Sequence, residues 1–124
     1  MMSNMPIDYR QLKECELNYL IALSLGAKTP WISEDSHDVY SIGDDDDTDV
    51  IHGYIHSSDI LDVLKRMNEG GSIERTALNW RARWTEHLPY SEAETIGLAA
   101  GRAFVLAYYG PRIEIDAIVW KKKN

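Results

Sequence analysis

The groups with most chemical potential in this 124-residue sequence are its acids and histidines. Five aspartates occupy the run Asp44, Asp45, Asp46, Asp47, Thr48, Asp49. Oxygen ligands so crowded suggest calcium. A calcium loop of the EF-hand type, however, needs glycine at its sixth position and glutamate at its twelfth. Counting from Asp44, those positions hold Asp49 and Ile55. The spacing fails at both, and mutual repulsion favours a solvated, exposed loop over residues 43–49. His52 and His56 stand four apart, with His37 and Asp49 as conceivable co-ligands. On a strand they share a face but lie well separated along it, and zinc wants three or four ligands fixed in space. Two edge or surface histidines are expected.

Nucleophilic and anion-binding chemistry is poorly provided for. Cys15 sits between Glu14 and Glu16, which disfavour a thiolate, so a buried structural cysteine is expected. Arg81 and Arg83 lie between Trp80 and Trp84, a basic and aromatic mixture that nucleic-acid surfaces use. Alternation along a strand sends arginines and tryptophans to opposite faces, so a tryptophan core face and a wet arginine face is the simpler reading. If both faces are covered, the arginines must pair, with Glu74 or Glu86. Arg102 is expected to pair with Glu94 or Asp59. Glycine-rich phosphate loops, nucleophile elbows and metalloprotease helix motifs are absent from the sequence.

The bulk properties narrow the setting. The chain has room for one domain, residues 1–124, and can bury enough surface for one core. Its net charge of −7 argues against general nucleic-acid binding, which needs clustered Lys and Arg. One cysteine excludes an internal disulfide. The longest apolar run, around Leu17 to Leu25, is too short to span a bilayer, and the first residues do not resemble a signal peptide. A cytoplasmic protein is expected.

The elements that must carry these groups can be placed from periodicity and capping. A first helix is predicted from Asp8 to Leu25, stopped by Gly26, with Leu12, Cys15, Tyr19 and Leu23 on one stripe. Residues 38–42 predict a short strand, and 49–56 the end of another. A second helix should begin at Ser57 or Ser58 and run to about Asn68, halted by Gly70-Gly71. Period-two alternation over 73–78 and 80–85 predicts a hairpin. The last helix can start at the capping box Ser91–Glu94 or at Thr95, and Gly110-Pro111 ends it. Ile113, Ile115, Ala117 and Val119 then predict a final strand, ahead of a short basic tail at 121–124.

Four pieces in order carry a resemblance. Asp8-Tyr9-Arg10-Gln11-Leu12 with Glu16-Leu17-Asn18 is similar to the first helix of the phage ABA sandwich domain family and of the related NinX-like phage proteins. Tyr54-Ile55-His56-Ser57-Ser58-Asp59-Ile60 resembles that family's second-helix start, and Trp80-Arg81-Ala82-Arg83-Trp84 its tryptophan-rich central hairpin. Ala93-Glu94-Thr95, Leu98-Ala99 and Arg102-Ala103 resemble its final helix. The likeness covers residues 8–109; the acidic loop and the tail after Gly110 depart from it. It implies a phage or prophage origin and an α/β/α-type sandwich, and brings no catalytic residues with it.

The expectation is therefore an α+β domain: a small antiparallel sheet packed by three helices, with an extra C-terminal strand. Its function should be non-enzymatic, without metal or cofactor, exerted by binding a host or phage protein, such as a nucleic-acid-handling or defence protein inhibited through charge mimicry. The expected contact surface is Asp44, Asp45, Asp46, Asp47 and Asp49 with Trp31 and Tyr40. The competing reading is a metal-dependent or small-molecule enzyme around His52, His56 and the acidic loop. A third is self-association through the edge of the strand Ile113 to Val119.

Overall fold

The computed structural model describes residues 6–43, 49–67, 70–114 and 117–122. Among these described residues, nine short strands and three α-helices follow in the order β1 (Ile7–Asp8), α1 (Glu14–Ser24), β2 (Lys28–Ser33), β3 (Val39–Ile42), β4 (Asp49–His52), α2 (Ile60–Leu64), β5 (Ser72–Arg75), β6 (Trp80–Arg83), β7 (Ser91–Ala93), α3 (Ile96–Tyr109), β8 (Arg112–Ile113) and β9 (Trp120–Lys121). The α+β class is as expected. The strands divide into three small sheets, in orders β4-β3-β2-β9, β5-β6-β7 and β1-β8, and every pairing is antiparallel except β2 with β9.

The middle of the molecule is helical. α1 packs on the four-stranded sheet, α3 on the three-stranded one, and the two helices pack on each other. That placement explains their composition, because a helix covered on several sides needs apolar residues all round. Leu17, Leu20, Ile21 and Ala22 of α1 are buried with Ala99, Ala100, Ala103, Phe104 and Val105 of α3. Trp84 meets Phe104 edge-on at 5.3 Å between ring centroids.

Local chemistry sets the helix ends. The first predicted helix is interrupted. Asp8 caps only a 3-10 turn at Tyr9–Gln11, its carboxylate accepting from the Arg10 amide at 2.9 Å, and Leu12 then turns extended to bury its side chain. α1 starts afresh, with Glu16 accepting from the Lys13 amide at 2.7 Å. Gly26, at φ 97°, ends that segment as predicted. α2 is shorter than its apolar pattern suggested, since Ser57 organises a turn rather than a helix: its hydroxyl donates to the Gly53 carbonyl and accepts from the Asp59 amide. For α3 the choice falls on Thr95, whose Oγ1 accepts from the Leu98 amide at 3.1 Å, because Ser91–Ala93 is already strand.

The predicted final strand does not run through. Ile113 belongs to β8 beside Ile7, Trp120 belongs to β9 beside Ile32, and the Ala117 amide donates to the Glu114 carbonyl at 3.0 Å. Ile113 and Ile118 are both buried. Five residues apart, they would point to opposite faces of a continuous strand, and both enter the core because β8 and β9 belong to different sheets.

One crossing fixes the two central helices to the chain between β4 and α2. Asn18 of α1 accepts hydrogen bonds from the amides of Tyr54 and Ile55, at 3.0 and 3.2 Å. The Ile55 carbonyl lies against Gly97 of α3, where a Cβ would stand 1.7 Å from its oxygen. Only glycine allows that approach.

Candidate functional site

Strand register assembles the predicted contact residues that lie within the described structure. Trp31 of β2 pairs with Tyr40 of β3, Tyr40 with Ile51 of β4, and Ile42 with Asp49. Directly paired residues share a face, as do residues two apart on a strand. Trp31, Tyr40, Ile42, Asp49 and Ile51 therefore lie together on one side of the sheet. Val39 and Ile32, of opposite parity, are buried in the core toward α1. The Trp31 and Tyr40 rings stack with centroids 4.8 Å apart and planes 20° from parallel, and the Lys121 ammonium lies 5.9 Å from the Trp31 ring. Tyr40 is nearly covered in this stack, whereas Ile51 is 61% exposed and Ile42 37%. Asp44, Asp45, Asp46 and Asp47 lie outside the described residues.

The histidines take separate partners. His52 Nε2 lies 2.6 Å from the Ser41 hydroxyl, and its Nδ1 is 3.5 Å from the Tyr54 hydroxyl, with the two rings nearly parallel. Burial lowers the His52 pKa below its ordinary 6.5. His56 lies in the turn beyond β4 and bonds Glu14 of α1, while His37 meets Trp120 edge-on. Among the described residues no three His, Cys, Asp or Glu side chains converge as a metal-binding group. His52 and His56 do not share a strand face, because β4 ends at His52.

Cys15 is buried, and its thiol pKa is raised by burial first and by the neighbouring Glu16 second. Arg81 and Arg83 point away from the core face that holds Ala82 and Trp84, as alternation predicted. Arg81 pairs with Glu74 at 2.6 Å, which holds the Glu74 carboxyl below its usual pKa. Both guanidiniums also lie over the Tyr90 ring, at 4.2 and 4.8 Å. Arg102 reaches neither Glu94 nor Asp59. Its Nη1 donates to the Glu92 carbonyl at 2.9 Å, because α3 packs across β7 and sets the residue over that strand's edge.

No protein-family model matches the chain, and no curated protein sequence matches it. Its own geometry is therefore what bears on function. Two sites emerge, on opposite faces of the β4-β3-β2-β9 sheet: the aromatic and aliphatic face of Trp31, Tyr40 and Ile51, and the Ser41–His52 pair facing the helices. Ser41 carried no signal until pairing was known. It stands opposite Val50, which makes His52 its diagonal neighbour on the same face. No helix among the described residues is long and apolar enough to cross a membrane.

Proposed function

We propose that this chain is a small phage- or prophage-encoded accessory protein that acts by binding a basic host protein, one that handles nucleic acid or serves defence. The observation that carries this reading is the row Trp31–Tyr40–Ile51, an aromatic and aliphatic strip on the sheet face opposite α1. Aromatic residues of this kind anchor protein interfaces, where single truncations often cost 2 kcal/mol or more. The charge supports the choice of partner. The molecule carries −7, and five of its acids stand in the run that leads into β4. Such a field speeds encounter with a basic surface and rejects nucleic acid itself. The phage attribution rests on the resemblance of residues 8–109.

The test is capture from a bacterial host extract with the wild-type protein and with a W31A/I51K variant, followed by titration of the protein enriched only by wild type. Binding should weaken at least thirtyfold in the variant. Replacing Asp44, Asp45, Asp46, Asp47 and Asp49 by Asn should lower affinity at low salt and flatten its salt dependence. Failure to enrich any protein over the variant, or a partner whose affinity ignores both sets of substitutions, overturns the proposal.

A further inference from the structure

Ser41 of β3 and His52 of the edge strand β4 lie on the sheet face toward the helices and line a groove of about 310 Å³. That size is at the small end of the range for ligand sites. Leu25, Ala27 and Val50 give the groove apolar walls, and Gly26 and Gly43 leave its backbone bare of side chains. The polar features that meet there suit one kind of chemistry. A serine hydroxyl becomes a nucleophile when a neutral imidazole within hydrogen-bond reach takes its proton and a third group orients the ring. The Ser41 Oγ to His52 Nε2 separation is 2.6 Å, and Tyr54 stacks alongside with its hydroxyl toward Nδ1. Burial lowers the His52 pKa and so favours the neutral imidazole, and among the described residues no carboxylate is hydrogen-bonded to it.

We propose that Ser41 and His52 form a nucleophile–base pair that cleaves short-chain carboxylic esters bound in this groove. Ser41 Oγ bonds to the ester carbonyl carbon while its proton passes to His52 Nε2. The carbon–oxygen bond to the alcohol then breaks, and the leaving alcohol takes that proton. Water attacks the acyl-serine, giving a proton to His52, and the acid departs as Ser41 recovers its hydrogen. Ester and water become acid and alcohol, with no other reactant. The apolar walls and small volume admit a short acyl chain and exclude a long one. Tyr54 is a positioning residue, acting through the imidazole.

This capacity is independent of the partner-binding face and is tested on the purified protein alone. An alkyl fluorophosphonate reports the first step, since the Ser41 oxygen–phosphorus bond forms as fluoride leaves. Intact mass and peptide mapping should show one label, on the peptide containing Ser41, and none in S41A. Labelling should slow at least tenfold in H52Q and severalfold in Y54F, which keeps the ring but loses the hydroxyl. Wild-type protein should also release p-nitrophenol from p-nitrophenyl acetate faster than from the octanoate. Absence of label on Ser41 in the wild-type protein, or equal labelling rates in cooperatively melting H52Q and wild type, overturns the proposal. Should H52Q fail to fold, the wild-type and Y54F arms decide alone.

Discussion

Replacing Gly97 by alanine tests the crossing of the Tyr54–Ile55 segment over α3. The new methyl would stand 1.7 Å from the Ile55 carbonyl oxygen and 2.7 Å from its carbon. Both are backbone atoms, so no rotamer change relieves the contact and the segment must lift. Lifting removes the two amide bonds to Asn18, worth about 1 kcal/mol each. It also draws Ile55, 3% exposed, partly out of the core, at roughly 2 kcal/mol. Against this, alanine in a helix gains about 1 kcal/mol over glycine. The net loss is about 3 kcal/mol, which lowers Tm by roughly 12 °C in a domain of this size. The control is Gly101→Ala, one turn on, whose Cβ would meet only side-chain atoms, of Ile55 and Ile21, at 3.3 to 3.7 Å. Those can shift, and the helix gain nearly cancels the crowding. Urea titration of both variants measures the difference. A G97A protein as stable as wild type, or less affected than G101A, would refute the argument.

Three further outcomes follow from the same structure. Asn18→Ala should cost about 2 kcal/mol in urea unfolding and speed hydrogen exchange at the Tyr54 and Ile55 amides, which Asn18 otherwise engages. Because the folded pKa of His52 is depressed below 6.5, the unfolded chain binds the proton more readily, so its contribution to stability is whole above that value and declines as pH falls toward the folded pKa; H52Q should lose this part of the acid sensitivity, as thermal melts between pH 7.5 and 5 would show. Cys15, buried and with its thiol pKa raised, should react with an aromatic disulfide reagent only as fast as the protein opens, and at full rate in urea.

Signals that are local in the chain were legible, and signals that depend on pairing were not. Thr95 and Gly110 bracket α3, Gly26 ends the first helical segment, and the alternation of Trp80, Ala82 and Trp84 against Arg81 and Arg83 reads directly as an inner and an outer face. Each follows from a residue's own capping chemistry or parity. The hidden part was non-local. Parity places Ser41 and His52 each on some face of some strand, and only the β3–β4 register joins them. The same limit applied to the last strand: alternation continued through Ile113 to Val119, yet Ile113 and Ile118 each serve a different sheet's neighbourhood in the core. Trp31 and Tyr40 stand out in the sequence by chemical type and closeness to the acidic run, and the antiparallel pairing of β2 and β3 is what stacks them.

The pairing of β2 with β9 bears on how the molecule is made. Ile32 finds its parallel partner in Trp120, and Ile7 finds Ile113, so the earliest strands wait for the latest ones. α1 likewise completes its burial only when α3 arrives. Contacts so distant along the chain carry a loop-closure cost before they yield any stability, and they slow folding. On the ribosome, β2 and α1 would emerge with apolar surface that they cover only in part between themselves, and their packing would be completed only once α3 and β9 had followed. A chaperone that shields Leu17, Leu20, Ile21 and Ile32 in that interval would raise the yield of folded protein.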